Sequence, residues 1–264
     1  MTHAQLVVLG GGPGGYAAAF FAADEGLDVA IVESEGRLGG TCLLRGCIPS
    51  KALLHVSRVI SEVEELREDW GVEYPQPHID LDKVRARKDK VIATLTGGLG
   101  QLAKRRNVRI IKAKGVLENS TSLKLEGEDP SIPEGGRITF DHLILATGST
   151  PAMPPVFNLG SDRIMDSTGA LRLQDVPPRL LVIGGGDIGL EMGTVYAHLG
   201  SQVSVVELTT GLLPGADREL LGEQAAHLRQ LALARGLDEL ARRFADAVQV
   251  GEQPREQVPA RRER

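Results

Sequence analysis

An α/β fold follows from three features of the sequence. It would have two strand–turn–helix–strand units with parallel sheets, the second unit incomplete, and a small antiparallel addition to the first. An apolar strand runs into a glycine-rich turn and a helix near the start of the chain. The same pattern returns without a gap from Leu180 onward. Between the two copies lie short β-rich pieces separated by turn residues.

The elements follow in order. Leu6-Val7-Val8-Leu9 is a continuous apolar run, as expected of a parallel strand covered on both faces. Gly10 to Gly15 break it, Tyr16 to Glu25 can form a helix, and Asp28 to Val32 make the next strand. Residues 41–70 hold both cysteines and a long helical stretch. After Pro75 and Pro77, the spacing of Leu81, Val84, Val91, Ile92, Leu95 and Leu99 predicts a second helix over 80–105. From 108 to 140, Asn, Asp, Gly and Pro turns separate β-rich pieces, which predicts the antiparallel addition. Residues 141–148 read as a buried strand ending on Thr-Gly. Leu180 to Glu207 then aligns on Leu6 to Glu33. These elements suggest a first domain over 1–150 and a partial second over 151–230, joined through the proline-rich stretch 150–160. An atypical tail occupies 231–264, where Leu237, Leu240, Phe244 and Val248 have helical spacing.

Composition narrows the function. The chain has 264 residues, a formal net charge of −5, 42% hydrophobic residues and 25% charged ones. That balance argues against general nucleic-acid binding, which needs a basic face. No apolar run reaches the roughly 18 residues of a membrane span. The N-terminus has no basic lead or small-residue cleavage site, so no signal peptide is expected and the setting reads as cytoplasmic. Glycine is abundant, with 32 residues, which suits backbone turns closing on a ligand.

Gly10-x-Gly12-x-x-Gly15 and Gly184-x-Gly186-x-x-Gly189 each follow an apolar strand and open a helix. In such Rossmann-like turns the first glycine permits the bend, the second lets backbone approach a pyrophosphate, and the third lets helix pack on strand. Each copy carries an acid at the end of its second strand, Glu33 and Glu207. A carboxylate there accepts from ribose hydroxyls and repels a 2′-phosphate, so NAD is expected over NADP. Two fingerprints imply two dinucleotides, which favours a flavin enzyme using NAD over a simple dehydrogenase.

Cys42 and Cys47 are the two cysteines of the chain. Residues five apart on a regular helix stand roughly 8–9 Å from each other. Bridging them therefore needs a distortion, which Gly46 and Pro49 would permit. Free buried thiols remain an open alternative. Half a zinc site is disfavoured because no second ligand pair has the right spacing, so no metal is expected. In a cytosolic chain a Cys-x₄-Cys pair reads better as a redox-cycling disulfide than as a structural one. A helix N-terminus and Lys51 would favour the thiolate.

The stretch GGTCLLRGCIPSKALL resembles the redox-active segment of the flavin-dependent pyridine nucleotide–disulfide oxidoreductases, most closely their dihydrolipoamide dehydrogenase branch. GGGDIGLEMGTVYAHLGSQVSVVE resembles the same branch more than the glutathione or mercuric reductases, and the similarity runs from about residue 5 to about 230. The resemblance implies that Gly10, Gly12 and Gly15 hold the FAD pyrophosphate and Glu33 the adenosine ribose. Gly40, Thr41 and Cys42 would line the flavin, and Gly115 and Ala146-Thr147-Gly148 would touch FAD. Cys47 would stand in charge-transfer contact with the flavin, while Cys42 exchanges with dihydrolipoamide. Lys51 would lie near the flavin with Glu191 as counter-charge, and Gly184, Gly186, Gly189 and Glu207 would bind NAD. Electrons would then pass from dihydrolipoamide, carried on a lipoyl domain of a 2-oxoacid dehydrogenase complex, through the disulfide and FAD to NAD⁺.

Asp187 departs from the larger apolar or aromatic residue often found there. Family members continue with a second FAD-contacting motif and a C-terminal dimerisation domain carrying a His–Glu pair. The family is homodimeric, but none of this chain's six histidines stands in that context. A truncated form with impaired activity is therefore expected, its tail either native or the product of a frameshift. The alternatives are another disulfide reductase of the family and a nucleotide-binding remnant without turnover.

Overall fold

The apolar runs around Val7 and Ile31 form the centre of the first unit because both faces of their sheet are covered. The structure, a computed structural model, describes residues 2–75, 77–209 and 211–217. The tail over 231–264 and His227 lie outside the described residues. Strands β1 (Thr2–Leu9), β2 (Val29–Val32), β3 (Arg109–Ile111), β4 (Lys114–Asn119), β5 (Ser122–Glu126) and β6 (Arg137–Leu145) make one six-stranded sheet. Its order is β3-β2-β1-β6-β5-β4; β1 pairs in parallel with β2 and β6, and β4 and β5 add antiparallel strands at one edge. The antiparallel addition expected from 108–140 is therefore present. The last strand begins at Arg137 and its ladder stops before Ala146.

Alternation along β1 sorts the core. Val7 packs with Ala30, Val32 and Ile111, and with Leu123 of β5 and Phe140 of β6. Leu6 and Val8 face the other way, with Val29, Ile31 and Ala19 of α1 (Pro13–Asp24). Ala103, near the end of α4 (Leu81–Arg105), joins that second cluster. Burial on both faces is why these strands read as unbroken apolar runs.

The long helical stretch over 41–70 is two helices, α2 (Gly40–Arg45) and α3 (Cys47–Trp70), parted at Gly46. Gly71, with φ +68°, ends α3 in the left-handed region, and the Asp80 side chain caps α4 by accepting from the Lys83 amide at 3.1 Å. Helix α5 (Ser167–Leu171) is capped by Asp166, which accepts from the Gly169 amide at 2.7 Å.

The chain parts into two units between Val176 and Pro177, rather than at the proline-rich stretch 150–160. The reason lies on α4. Lys88 Nζ donates to the Leu171 carbonyl at 2.9 Å, and Arg85 donates to the Leu173 carbonyl at 2.7 Å. These bonds hold the end of α5 and the segment after it on the first unit. Buried Leu173 adopts φ +50° there.

In the second unit β7 (Arg179–Ile183) and β8 (Gln202–Val206) pair in parallel, with α6 (Asp187–His198) between them in sequence. Met192, Val195 and Tyr196 bury one face of α6. Leu181 is 39% exposed, whereas its counterpart in the first copy, Val7, is fully buried. Among the described residues this unit has two strands where the first has six. No described helix is long and apolar enough to cross a membrane.

Because Leu123 is fully buried where β5 closes the first core, Leu123→Ala should cost about 2–5 kcal/mol. Urea unfolding of the two proteins checks this; a loss under 1 kcal/mol would mean that β5 does not close the core.

Candidate dinucleotide loops and dithiol

Both glycine turns have the same construction. Gly10 and Gly184 sit at φ +107°, and each donates its amide to the end of the neighbouring strand, Gly10 to Val32 O and Gly184 to Val206 O, both at 2.8 Å. A Cβ on Gly15 would lie 1.9 Å from Gly10 O, and one on Gly189 would lie 2.2 Å from Gly184 O. No side chain fits at either place, so helix and turn touch through bare backbone. Gly12 and Gly186 are the N-caps of α1 and α6 with extended backbone and no capping side chain. The amides of each helix's first turn are therefore left for an external acceptor.

The acid at the end of each second strand fastens the turn. Glu33, 7% exposed, accepts from the Gly11 amide at 2.6 Å through one oxygen and from the Glu35 amide at 2.7 Å through the other. Glu207 accepts from Gly185 and Thr209 amides at 2.7 and 2.8 Å. The Thr209 and Gly185 amides hold the Glu207 carboxyl below the usual carboxylate range. Its contribution to stability is thus present above the unfolded value of about 4.3 and is lost as pH falls through the folded one. The Oε2 of each acid, which accepts one amide, keeps a further lone pair for a hydroxyl donor.

Around the first loop the other sequence-named positions converge. A Cβ on Gly10 would lie 2.1 Å from Ala146 O, so the Ala146-Thr147-Gly148 turn closes over it. Gly40, at φ +57°, approaches Gly12 so closely that a Cβ would stand 2.5 Å from Gly12 Cα. Thr41 Oγ1 donates to Ser149 O at 3.4 Å. Gly115, on β4, lies against Leu9 and Val32 side chains. Lys51 lies on α3 of the first unit and Glu191 on α6 of the second.

Sequence reasoning passed over Gly39. At φ +138° it caps α2, and its amide donates to Gly11 O at 2.8 Å. In the second unit the Leu213 amide donates to Gly185 O at the same distance. The Gly39-Gly40 doublet was the available signal, since two adjacent glycines leave one free to turn. Arg45 was missed as well; it forms an ion pair with Glu35, linking α2 to the loop after β2.

Cys42 lies on α2 and Cys47 opens α3. Both are free thiols, Cys42 partly buried and Cys47 exposed. Gly46, at φ −143° and ψ −119°, breaks the helix between them, and a Cβ there would meet Thr41 O at 2.8 Å. The break interrupts the regular helical spacing between the two cysteines, and Cys47 is near enough to act on the Cys42 thiol.

A family model for the pyridine nucleotide-disulphide oxidoreductases matches residues 4–245. The chain belongs to this family. It is 49% identical over 218 residues to a dihydrolipoyl dehydrogenase of Vibrio parahaemolyticus, covering 83% of this chain and 45% of that protein. It is 41% identical over 218 residues to a leghemoglobin reductase of Vigna unguiculata, covering 82% of this chain and 41% of that one. Among solved structures, a Cu(II) complex of the HOCl-induced flavoprotein disulfide reductase RclA from Escherichia coli superposes with a TM-score of 0.71. That match is 29% identical and covers 88% of this chain and 48% of the other. The chain thus spans about half the length of the relatives it matches.

This oxidoreductase dithiol differs from the sequence expectation in one respect. Lys51 and a helix start suggested a thiolate, yet the Cys42 thiol is pushed up from its ordinary value. Burial is the first cause and the hydrogen bond with Cys47 the second, and they outweigh the Lys51 charge. Cys42 in the reduced chain should therefore become alkylated only as pH rises above the ordinary thiol range of about 8.5. Cys47→Ser should lower the midpoint and Lys51→Met should raise it. Peptide-resolved iodoacetamide rates against pH check this; a midpoint for Cys42 below 8 would contradict it.

Proposed function

We propose that this chain holds FAD on its first glycine loop and NAD on its second, and exchanges its Cys42–Cys47 pair with a dithiol substrate. The reading is that of a dihydrolipoyl dehydrogenase, with the substrate carried on a lipoyl domain of a 2-oxoacid dehydrogenase complex. One observation carries it: the Gly39 amide donates to Gly11 O, so the helix bearing Cys42 is fixed directly to the first dinucleotide loop. The loop fits the cofactor because its glycines leave a cradle without side chains beneath the α1 N-terminus.

On this reading each residue has a task. Gly10, Gly12 and Gly15 present backbone to the FAD pyrophosphate, while Glu33 accepts from its ribose. Gly40, Thr41, Gly115 and the Ala146-Thr147-Gly148 turn would border the same cofactor, and Lys51 lies on the helix that Cys47 opens. Gly184, Gly186 and Gly189 do for NAD what the first three do for FAD. Glu207 selects against a 2′-phosphate by like charge.

In the exchange, a substrate thiolate bonds to Cys42 sulfur as the Cys42–Cys47 bond breaks, and Cys47 leaves as the thiolate. The second substrate thiolate then displaces Cys42. The substrate leaves as a disulfide, and the protein holds two thiols after gaining two electrons and two protons. Bound FAD would supply a two-electron acceptor for the dithiol, with NAD⁺ as the final oxidant.

Dihydrolipoamide should reduce the oxidised chain, exposing two new thiols, at least about tenfold faster than the same concentration of glutathione thiol, since both its thiols lie in one molecule. Either Cys42→Ser or Cys47→Ser should abolish the gain. Anaerobic rapid-quench alkylation followed by mass spectrometry of the protein, which counts protein thiols apart from substrate thiols, distinguishes the readings. Equal rates would point to another disulfide substrate, and no reduction by either would favour a nucleotide-binding remnant.

A further inference from the structure

A cavity opens in the first unit where the α2–α3 junction, α4 and α5 meet, with a volume of about 270 Å³. Its lining includes no residue assigned above to a dinucleotide or the dithiol. Arg37, Arg45, Lys88 and Arg172 bring four cationic groups to it, against one carboxylate, Asp89. Two of the four are already engaged. Arg45 is paired with Glu35, and Lys88 Nζ, with its side chain 9% exposed, donates to Leu171 O at 2.9 Å and stands 3.3 Å from Asp89. An ammonium has three donors, so Lys88 retains one beyond those two partners. Arg37 and Arg172 pair with no carboxylate among the described residues. Pro49, Ile92 and Leu171 give the cavity a buried apolar floor.

A cavity with an apolar floor, a buried ammonium and two unmatched guanidiniums favours an occupant that is anionic at one end and apolar at the other. Guanidinium forks match phosphate oxygens in pairs, which a single ammonium cannot do. Asp89 is neutralised by Lys88 beside it and does not cancel the rim. We propose that this cavity is a binding site for a small phosphate monoester, its phosphoryl group held by Arg37, Arg172 and the remaining Lys88 donor, and its organic group lying on Pro49 and Ile92. The proposal is independent of the redox function, since it involves neither glycine loop nor either cysteine.

Phenyl phosphate is a suitable probe, with inorganic phosphate as the comparison. Phenylglyoxal labelling of the full chain, resolved by peptide mass spectrometry, reads each arginine separately. Phosphate bound at either glycine loop is silent here, because those loops contain no arginine. Saturating phenyl phosphate should slow labelling of Arg37 and Arg172 at least about fivefold while leaving exposed Arg58 unchanged, because bidentate pairing occupies the guanidinium. Half-protection should need about tenfold less phenyl phosphate than inorganic phosphate, given the apolar floor. Arg172→Glu, an exposed substitution, should abolish protection of Arg37, and Arg172→Lys should retain part of it. Lys88→Gln should weaken protection; its melting temperature reports whether that variant remains folded. Equal slowing at all arginines, or protection of Arg37 surviving in Arg172→Glu, would overturn the site. Equal potency of the two phosphates would overturn the monoester assignment.

Discussion

The hydrogen bond from the second residue of each glycine turn to the carboxylate ending the next strand is the contact on which the rest of the structure depends. It measures 2.6 Å between Gly11 and Glu33 and 2.7 Å between Gly185 and Glu207. A carboxylate at the mouth of a parallel sheet loses hydration, and backbone amides replace the lost water. In exchange the turn is held open before any ligand arrives. Helix N-terminal amides and a carboxylate are then presented together, so less ordering is left for binding to complete.

Other parts of the first unit are attached to that fixed point. Gly39 hangs the cysteine segment from Gly11, and the Glu35–Arg45 ion pair ties α2 to the same loop. Gly46 then divides what would have been one helix, so that Cys42 lies near the end of one and Cys47 opens the next. On the far side Arg85 and Lys88 fasten the carbonyls of Leu171, Leu173 and Gln174 to α4, which sets where the first unit ends. The dithiol and the first cofactor loop are thus one mechanical assembly made largely of backbone contacts, which explains the concentration of glycine there.

Much of this was legible in the sequence because it rests on local rules. The repeat of Leu6–Glu33 in Leu180–Glu207, the glycines that no side chain could replace and the paired acids all follow from close backbone approach, and residue type records that directly. The unbroken apolar runs likewise revealed strands buried on two faces. What escaped depends on distant partners. Thr2 to Gln5 extend β1 because β6 lies beside them, although three of the four are polar. The unit boundary moved to Val176 because α4 side chains reach carbonyls more than 80 residues away. The state of Cys42 was misjudged because burial, which sequence does not show, outweighs the lysine that it does.

The central claim is that one carboxylate-tied turn, used twice, makes two separate dinucleotide sites in this chain. Equilibrium dialysis of the full chain against FAD and NAD⁺, alone and together, tests it most directly. Two sites predict one FAD and one NAD⁺ bound at once, with FAD binding reduced by Gly15→Val and NAD⁺ binding reduced by Gly189→Val. Mutual displacement at a single site, or loss of both ligands in either variant while the chain stays folded, would contradict it.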